Sequence, residues 1–129
     1  MSTSPALKTI LVVEDDSGNG TFLEMAIQSE TPYQAMLVAS ESEMLRRIEE
    51  IKALKPALFL LDYRLPRTTA TKLYDQLHAI EGLEEVPAII ITAETPDLIE
   101  PEIRQRNLLL LPKPFELDNL LETIKSIVN

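Results

Sequence analysis

The chain has no cysteine, which excludes disulfides and thiolate metal sites. It has one histidine, His78, and so no second histidine with which to form a ligand pair. Set beside Leu77 in a helical pattern, His78 reads as a half-buried packing residue rather than a metal ligand or phosphoryl donor. Glycine is scarce, at 3 residues. Gly18-Asn19-Gly20 is similar to the start of a dinucleotide fingerprint, but Leu23 stands where the third glycine belongs and the acids before it would repel a pyrophosphate. Tyr33, Tyr63 and Tyr74 are too scattered to form a stacking platform for single-stranded nucleic acid. No apolar run approaches the roughly 20 residues of a membrane helix, and no basic-then-apolar leader opens the chain. A soluble, cytoplasmic protein is expected. Basic residues are also in deficit, and a net charge of −9 argues against nucleic acid as a direct partner. The partner should be a protein.

At 129 residues the chain fits one domain with a real core and no attached output module. Residues 1–7 read as a disordered tail and 8–129 as the folded domain. Four stretches, 9–13, 57–61, 88–91 and 108–111, are unbroken apolar runs bounded by proline or charge. Continuous hydrophobicity of that length marks strands covered on both faces. A fifth candidate, 34–39, is less oily, follows the Thr31-Pro32 breaker and suits a sheet edge.

Between these runs the apolar residues take helical spacing: Met44, Ile48 and Ile51; Leu73, Leu77 and Ile80; Leu117, Leu120, Leu121, Ile124 and Ile127. Ser42 with Glu43, and Asp118, place a cap or an acid where a helix N-terminus favours it. Strands alternating with helices imply right-handed crossovers and an α/β, doubly wound, five-stranded parallel sheet with helices on both faces. The segment between the fourth and fifth strands carries Pro96 and Pro101. If Pro96 opens a helix, Pro101 falls inside it at a cost of about 3 kcal/mol, so this fourth helix should be short or irregular.

Asp15, Asp62, Thr92 and Lys113 each follow a predicted strand, and in an open parallel sheet such exits share the ligand-binding rim. Glu14-Asp15-Asp16 taken alone is explained by solvation and capping of the next helix by Asp16 or Ser17. With Asp62 leaving the neighbouring strand at the same height, the acids become mutually repulsive unless a cation intervenes, and oxygen-only ligation suits Mg²⁺. Asp62 can be a strand-end cap or, with charge neutralised by the metal and by Lys113, a nucleophile toward phosphorus. Lys113 is held between Pro112 and Pro114; the alternative is a solvated loop lysine. Thr92 can donate its hydroxyl to a phosphoryl oxygen or cap a helix.

Taken together, Ile-Leu-Val-Val-Glu-Asp-Asp, Leu-Leu-Asp-Tyr-Arg-Leu-Pro, Ile-Ile-Thr-Ala and Pro-Lys-Pro-Phe, in that order, resemble the receiver domain of two-component response regulators, including the single-domain chemotaxis type. The resemblance runs from about Lys8 to Val128 and implies a flavodoxin-like strand order of 2-1-3-4-5. It implies that Asp62 is the phosphoacceptor, that Asp15 binds Mg²⁺ directly and Glu14 through water, and that the main-chain carbonyl of Arg64 is a further ligand. Thr92 and Lys113 would bind phosphoryl oxygens, and Lys113-Pro114 would be cis.

Departures from the family pattern are also present. Leu110 occupies the position, three before the lysine, that usually holds a switch aromatic. Arg67-Thr68-Thr69-Ala70 stands where Gly-Met-Asp-Gly is common, so without the glycine that permits positive φ the loop should take another path. Arg106-Asn107 replaces a small Gly-Ala pair before the last strand, in the region that forms the family's output face. Arg64 and Glu94 are placed so that an ion pair between them could lie across the pocket and shield an acyl phosphate from water, the alternative being two independent solvated side chains.

The expected function is that of a stand-alone receiver, accepting a phosphoryl group from a histidine kinase or phosphotransfer protein and acting on an unidentified downstream protein, with homodimerisation open. The second reading is a pseudo-receiver that binds partners constitutively. A third is a phosphatase similar to haloacid-dehalogenase enzymes, but their nucleophilic Asp is usually followed two residues later by another Asp. Here Asp16 is followed by Ser17 and Gly18.

Overall fold

In the computed structural model the described residues are 7–93, Pro101, Arg106 and 108–128. The five predicted strands form one parallel sheet, and their apolar runs explain why. β1 (Thr9–Val13), β3 (Leu58–Asp62) and β6 (Ala88–Thr92) occupy its middle, flanked by β2 (Gln34–Val38) and β7 (Leu108–Pro112), in the order β2-β1-β3-β6-β7. Every residue of β1 and β6 is buried, as continuous apolar runs require when helices cover both faces.

β7 stands where the order 2-1-3-4-5 places the last strand, and it is less covered than its unbroken apolar run suggests. It lies at the sheet edge, its residues are only partly buried, and Leu109 is exposed by 49%. Four leucines in a row cannot distinguish an edge from a centre, because periodicity is silent when every position is apolar. Leu110, at the switch-aromatic position, is partly buried against the core on one face of the sheet.

Helices cover both faces. α1 (Ser17–Glu30) opens on Asp16, whose Oδ1 accepts the Asn19 N–H at 2.8 Å, and packs Leu23 and Ile27 with Ile10, Val12 and Leu60. The C-terminal helix, here α5 (Leu117–Val128), buries Leu120, Ile124 and Val128 in that same layer. Lys8 donates to the Val128 carbonyl at 2.9 Å, satisfying one of the orphan acceptors at its C-terminal end. The opposite layer joins Met44, Ile51, Phe59, Leu73 and Leu77.

Local readings change in that layer. The second helical segment is two helices, α2 (Glu41–Arg46) and α3 (Ile48–Leu54), parted at Arg47 with φ −105° and ψ 19°. The cap of α2 is Ser40 rather than Ser42: its Oγ accepts the Glu43 N–H at 3.1 Å, while Glu43 reaches back to the Ala39 N–H at 2.7 Å. α4 (Ala70–His78) follows a short hairpin of β4 (Arg64–Leu65) and β5 (Thr68–Thr69). The loop's expected detour for want of glycine is not taken at the decisive dihedral, since Arg67 itself adopts φ 68°. Pro66 precedes it, and proline followed by positive φ is the type II turn arrangement. The irregular helix predicted between β6 and β7 lies outside the described residues.

His78 is half-buried, as expected. Its Nδ1 lies 2.6 Å from the Tyr74 carbonyl and its Nε2 2.6 Å from that of Val86, so neither nitrogen is available as a ligand. Among the described residues no helix is long and apolar enough to cross a membrane.

Candidate functional site

Sheet register brings the polar strand exits together. Val13 of β1 is level with Leu61 of β3, so Glu14 and Asp15 leave beside Asp62, the last residue of its strand. Asp62 is in turn level with Ile91 of β6, one residue before Thr92. Thr92 is level with Pro112, and its carbonyl accepts the Lys113 N–H at 2.7 Å. Lys113 therefore enters the same rim, and the Lys113-Pro114 peptide is cis.

The side chains converge as well. Lys113 Nζ lies 3.3 Å from Asp62 Oδ1, with the Asp62 side chain only 11% exposed. Glu14, Asp15 and Asp62 each offer a carboxylate oxygen, and these oxygens all lie within 4.8 Å of one another. Glu14 is 4% exposed, and the Asp16 N–H donates to its Oε2 at 3.3 Å. Burial, and next the negative charge of Asp62, push the Glu14 carboxyl from 4.5 up to about 7. The Asp16 N–H and the Lys113 ammonium oppose that rise without cancelling it. Three carboxylates crowded this closely form an oxygen-only donor set whose repulsion Lys113 relieves only in part, which fits a hard divalent cation.

The remaining predicted residues surround this centre. Thr92 is buried at the end of β6. Arg64 is exposed on β4, two residues after Asp62, with its guanidinium carbon 5.9 Å from the centre of the Tyr63 ring. Glu94, its suggested ion-pair partner, lies outside the described residues. A cavity of about 480 Å³ next to the acids was not anticipated; Glu14, Asn19, Phe22, Lys113, Phe115 and Leu117 line it. The signal available in the sequence was Phe115, directly after Pro-Lys-Pro, and Phe22, which falls outside the buried stripe of α1 and is 52% exposed.

With the fold and the convergence established, comparison with known proteins decides the family. The family described as response regulator receiver domain matches residues 10–125. The chain belongs to that family. Among curated relatives, the polar-differentiation response regulator DivK of Brucella anthropi is 28% identical over 126 residues, covering 92% of this chain and 94% of that regulator. Hybrid signal transduction histidine kinase D of Dictyostelium discoideum is 22% identical over 120 residues, covering 92% of this chain; the match spans 7% of the kinase's length. Among solved structures, chemotaxis protein CheY4 of Vibrio cholerae superposes with a TM-score of 0.83 at 20% identity, covering 95% of this chain and 99% of that one. The receiver domain of sensor histidine kinase PA1611 from Pseudomonas aeruginosa, solved with magnesium coordinated in its active-site cleft, gives 0.78 at 26% identity, covering 95% and 98%. The receiver is thus a two-component signalling domain, and it has the fold of the chemotaxis regulators.

Proposed function

We propose that this receiver accepts a phosphoryl group on Asp62, in the presence of Mg²⁺, from a histidine kinase or histidine phosphotransfer protein, and signals by phosphorylation-dependent contact with a downstream protein. The observation that carries the reading is the placement of Asp62 between the Lys113 ammonium at 3.3 Å and the carboxylates of Glu14 and Asp15. A carboxylate oxygen of Asp62 attacks phosphorus in line, the bond from phosphorus to the donor breaks, and an acyl phosphate remains. Asp15, Asp62 and the Arg64 main-chain carbonyl would hold the cation directly and Glu14 through water. Bound there, the cation supplies charge neutralisation for the incoming dianion. Lys113 and the Thr92 hydroxyl bind phosphoryl oxygens on the other side. The protein consumes one phosphoryl group per cycle of modification and is not a turnover enzyme. Within this reading residues 8–129 act as a receiver in the cytoplasm, as relay, sink or docking partner.

Incubation of the whole chain with Mg²⁺ and acetyl phosphate, followed by intact mass measurement, tests the proposal. A single phosphate adduct that disappears in Asp62→Asn is the expected result. No adduct under any condition would favour constitutive binding without phosphorylation, and sustained release of phosphate would favour a hydrolase.

A further inference from the structure

β2 ends the sheet opposite β7 and pairs only with β1. In a parallel ladder, successive residues of an edge strand point their peptide groups alternately inward and outward. Gln34 donates to the Lys8 carbonyl at 2.9 Å and the Val38 carbonyl accepts from Glu14 at 3.1 Å, so Gln34, Met36 and Val38 face inward. Ala35 and Leu37 face out. One of their outward groups is taken: the Leu37 carbonyl accepts from Arg47 Nη1 at 3.3 Å.

Arg47 is held there from both sides. Its guanidinium also bonds Glu43 Oε2 at 3.1 Å and Glu50 at 3.1 and 3.2 Å. It is the residue at which the helical segment breaks, and the break aims its side chain at the strand. The N–H and carbonyl of Ala35 and the N–H of Leu37 have no partner among the described residues. They form the floor of a groove of about 380 Å³, with Glu24 on the α1 wall and Glu50 and Leu54 on the α3 wall.

We propose that this groove is an interaction surface for an extended basic segment of a partner protein, which adds to β2 as a sixth strand and displaces Arg47 from the Leu37 carbonyl. Unpaired edge groups are a template for strand addition, and alternate side chains of the added strand meet the two walls. Those walls carry carboxylates at Glu24 and Glu50, and release of Arg47 frees Glu43 as well. Lysine or arginine at two successive positions, which point to opposite faces of the incoming strand, meets both walls and restores the lost pairing. Charge selects against a second copy of this chain, which carries −9. In the closed state Arg47 protects the edge from indiscriminate pairing. The proposal is independent of the chemistry at Asp62, so either can fail without the other.

The test is titration of the ¹⁵N-labelled whole chain with the capped peptide Val-Lys-Lys-Val-Lys-Lys, followed by amide and arginine Nε resonances. Shifts should concentrate at Ala35, Leu37 and the Arg47 side chain, and the Glu-Val counterpart should leave them unmoved. Ala35→Pro removes an outward N–H without touching the ladder to β1 and should weaken binding roughly tenfold. The pair Glu24→Gln and Glu50→Gln should weaken it too, and Arg47→Ala should strengthen it. If Ala35→Pro fails to fold, the glutamine pair and Arg47→Ala still decide the matter. Shifts on another face, equal binding by both peptides, or concentration-dependent shifts at Ala35 without peptide would overturn the proposal, the last in favour of self-pairing.

Discussion

The ammonium of Lys113 stands 3.3 Å from Oδ1 of Asp62, although 51 positions separate the two in sequence. Register explains the meeting: β3 and β7 are the two neighbours of β6, and their ends rise to one rim. The pair is partly exposed, so its contribution to stability is at most about 1 kcal/mol. In the proposed phosphorylation its value is electrostatic, as a positive charge placed where phosphoryl oxygens would arrive. Lys113→Ala should therefore slow phosphorylation by acetyl phosphate on the order of a hundredfold while lowering the melting temperature only slightly. Time-resolved intact mass and thermal melts read the two effects separately.

The acid cluster makes a thermodynamic prediction about Mg²⁺. A cation that binds the folded chain alone stabilises it by about 1.4 kcal/mol at ten times its dissociation constant, which for a domain of this size raises the melting temperature by roughly 4 °C. Asp15→Asn should abolish most of that rise. A calorimetric scan with and without Mg²⁺, at fixed ionic strength, checks both statements.

Arg67 carries a Cβ in the left-handed region at φ 68°. That conformation costs roughly 1–2 kcal/mol, and glycine avoids it while giving back about 0.4–1 kcal/mol to the unfolded chain. Arg67→Gly should stabilise the domain by about 0.5–1 kcal/mol, measured as a shift in urea midpoint with unchanged slope. A destabilised variant would mean that the Arg67 side chain makes a contribution larger than its strain.

Arg106 clamps Asp75 with two bonds, 2.9 Å to Oδ1 and 2.7 Å to Oδ2, joining the approach to β7 with α4. Hydrogen bonding from Arg106 holds the Asp75 carboxyl below its usual 3.8. A depressed carboxyl contributes stability above its unfolded value that is lost as pH falls through the lower folded one, so the clamp acts at neutral pH and fades below about pH 4. Asp75 is 55% exposed, which limits the coupling to about 1 kcal/mol or less. A double-mutant cycle of Arg106→Ala and Asp75→Asn, run at pH 7 and again near pH 2, should show coupling only at the higher pH.

The strands and the rim were legible because oily runs ending in acid or proline mark buried strands whose exits a parallel sheet brings together, while the sheet order came with the resemblance to receiver domains. Asp15, Asp62, Thr92 and Lys113 could be singled out from position alone. Other features had no such signature. Leu108 to Leu111 read as covered on both faces because an unbroken apolar run carries no phase, and burial at an edge depends on neighbours. Arg47 breaks a helix whose apolar spacing is uninterrupted, at a point where its side chain makes a tertiary bond to the Leu37 carbonyl that spacing does not signal. Arg67 keeps a conformation that its side chain disfavours, held by the β4–β5 pairing around it. Ser40 and Ser42 both precede acids within one turn, so local sequence does not separate them as the cap of α2.

The account rests on Asp62 being the one residue that becomes covalently phosphorylated. Borohydride reduction after treatment with Mg²⁺ and acetyl phosphate converts an aspartyl phosphate to homoserine, and peptide mass mapping then locates it. Homoserine at position 62 alone is predicted; homoserine at 15 or 16, or at no position in a chain that folds and binds Mg²⁺, would contradict the account.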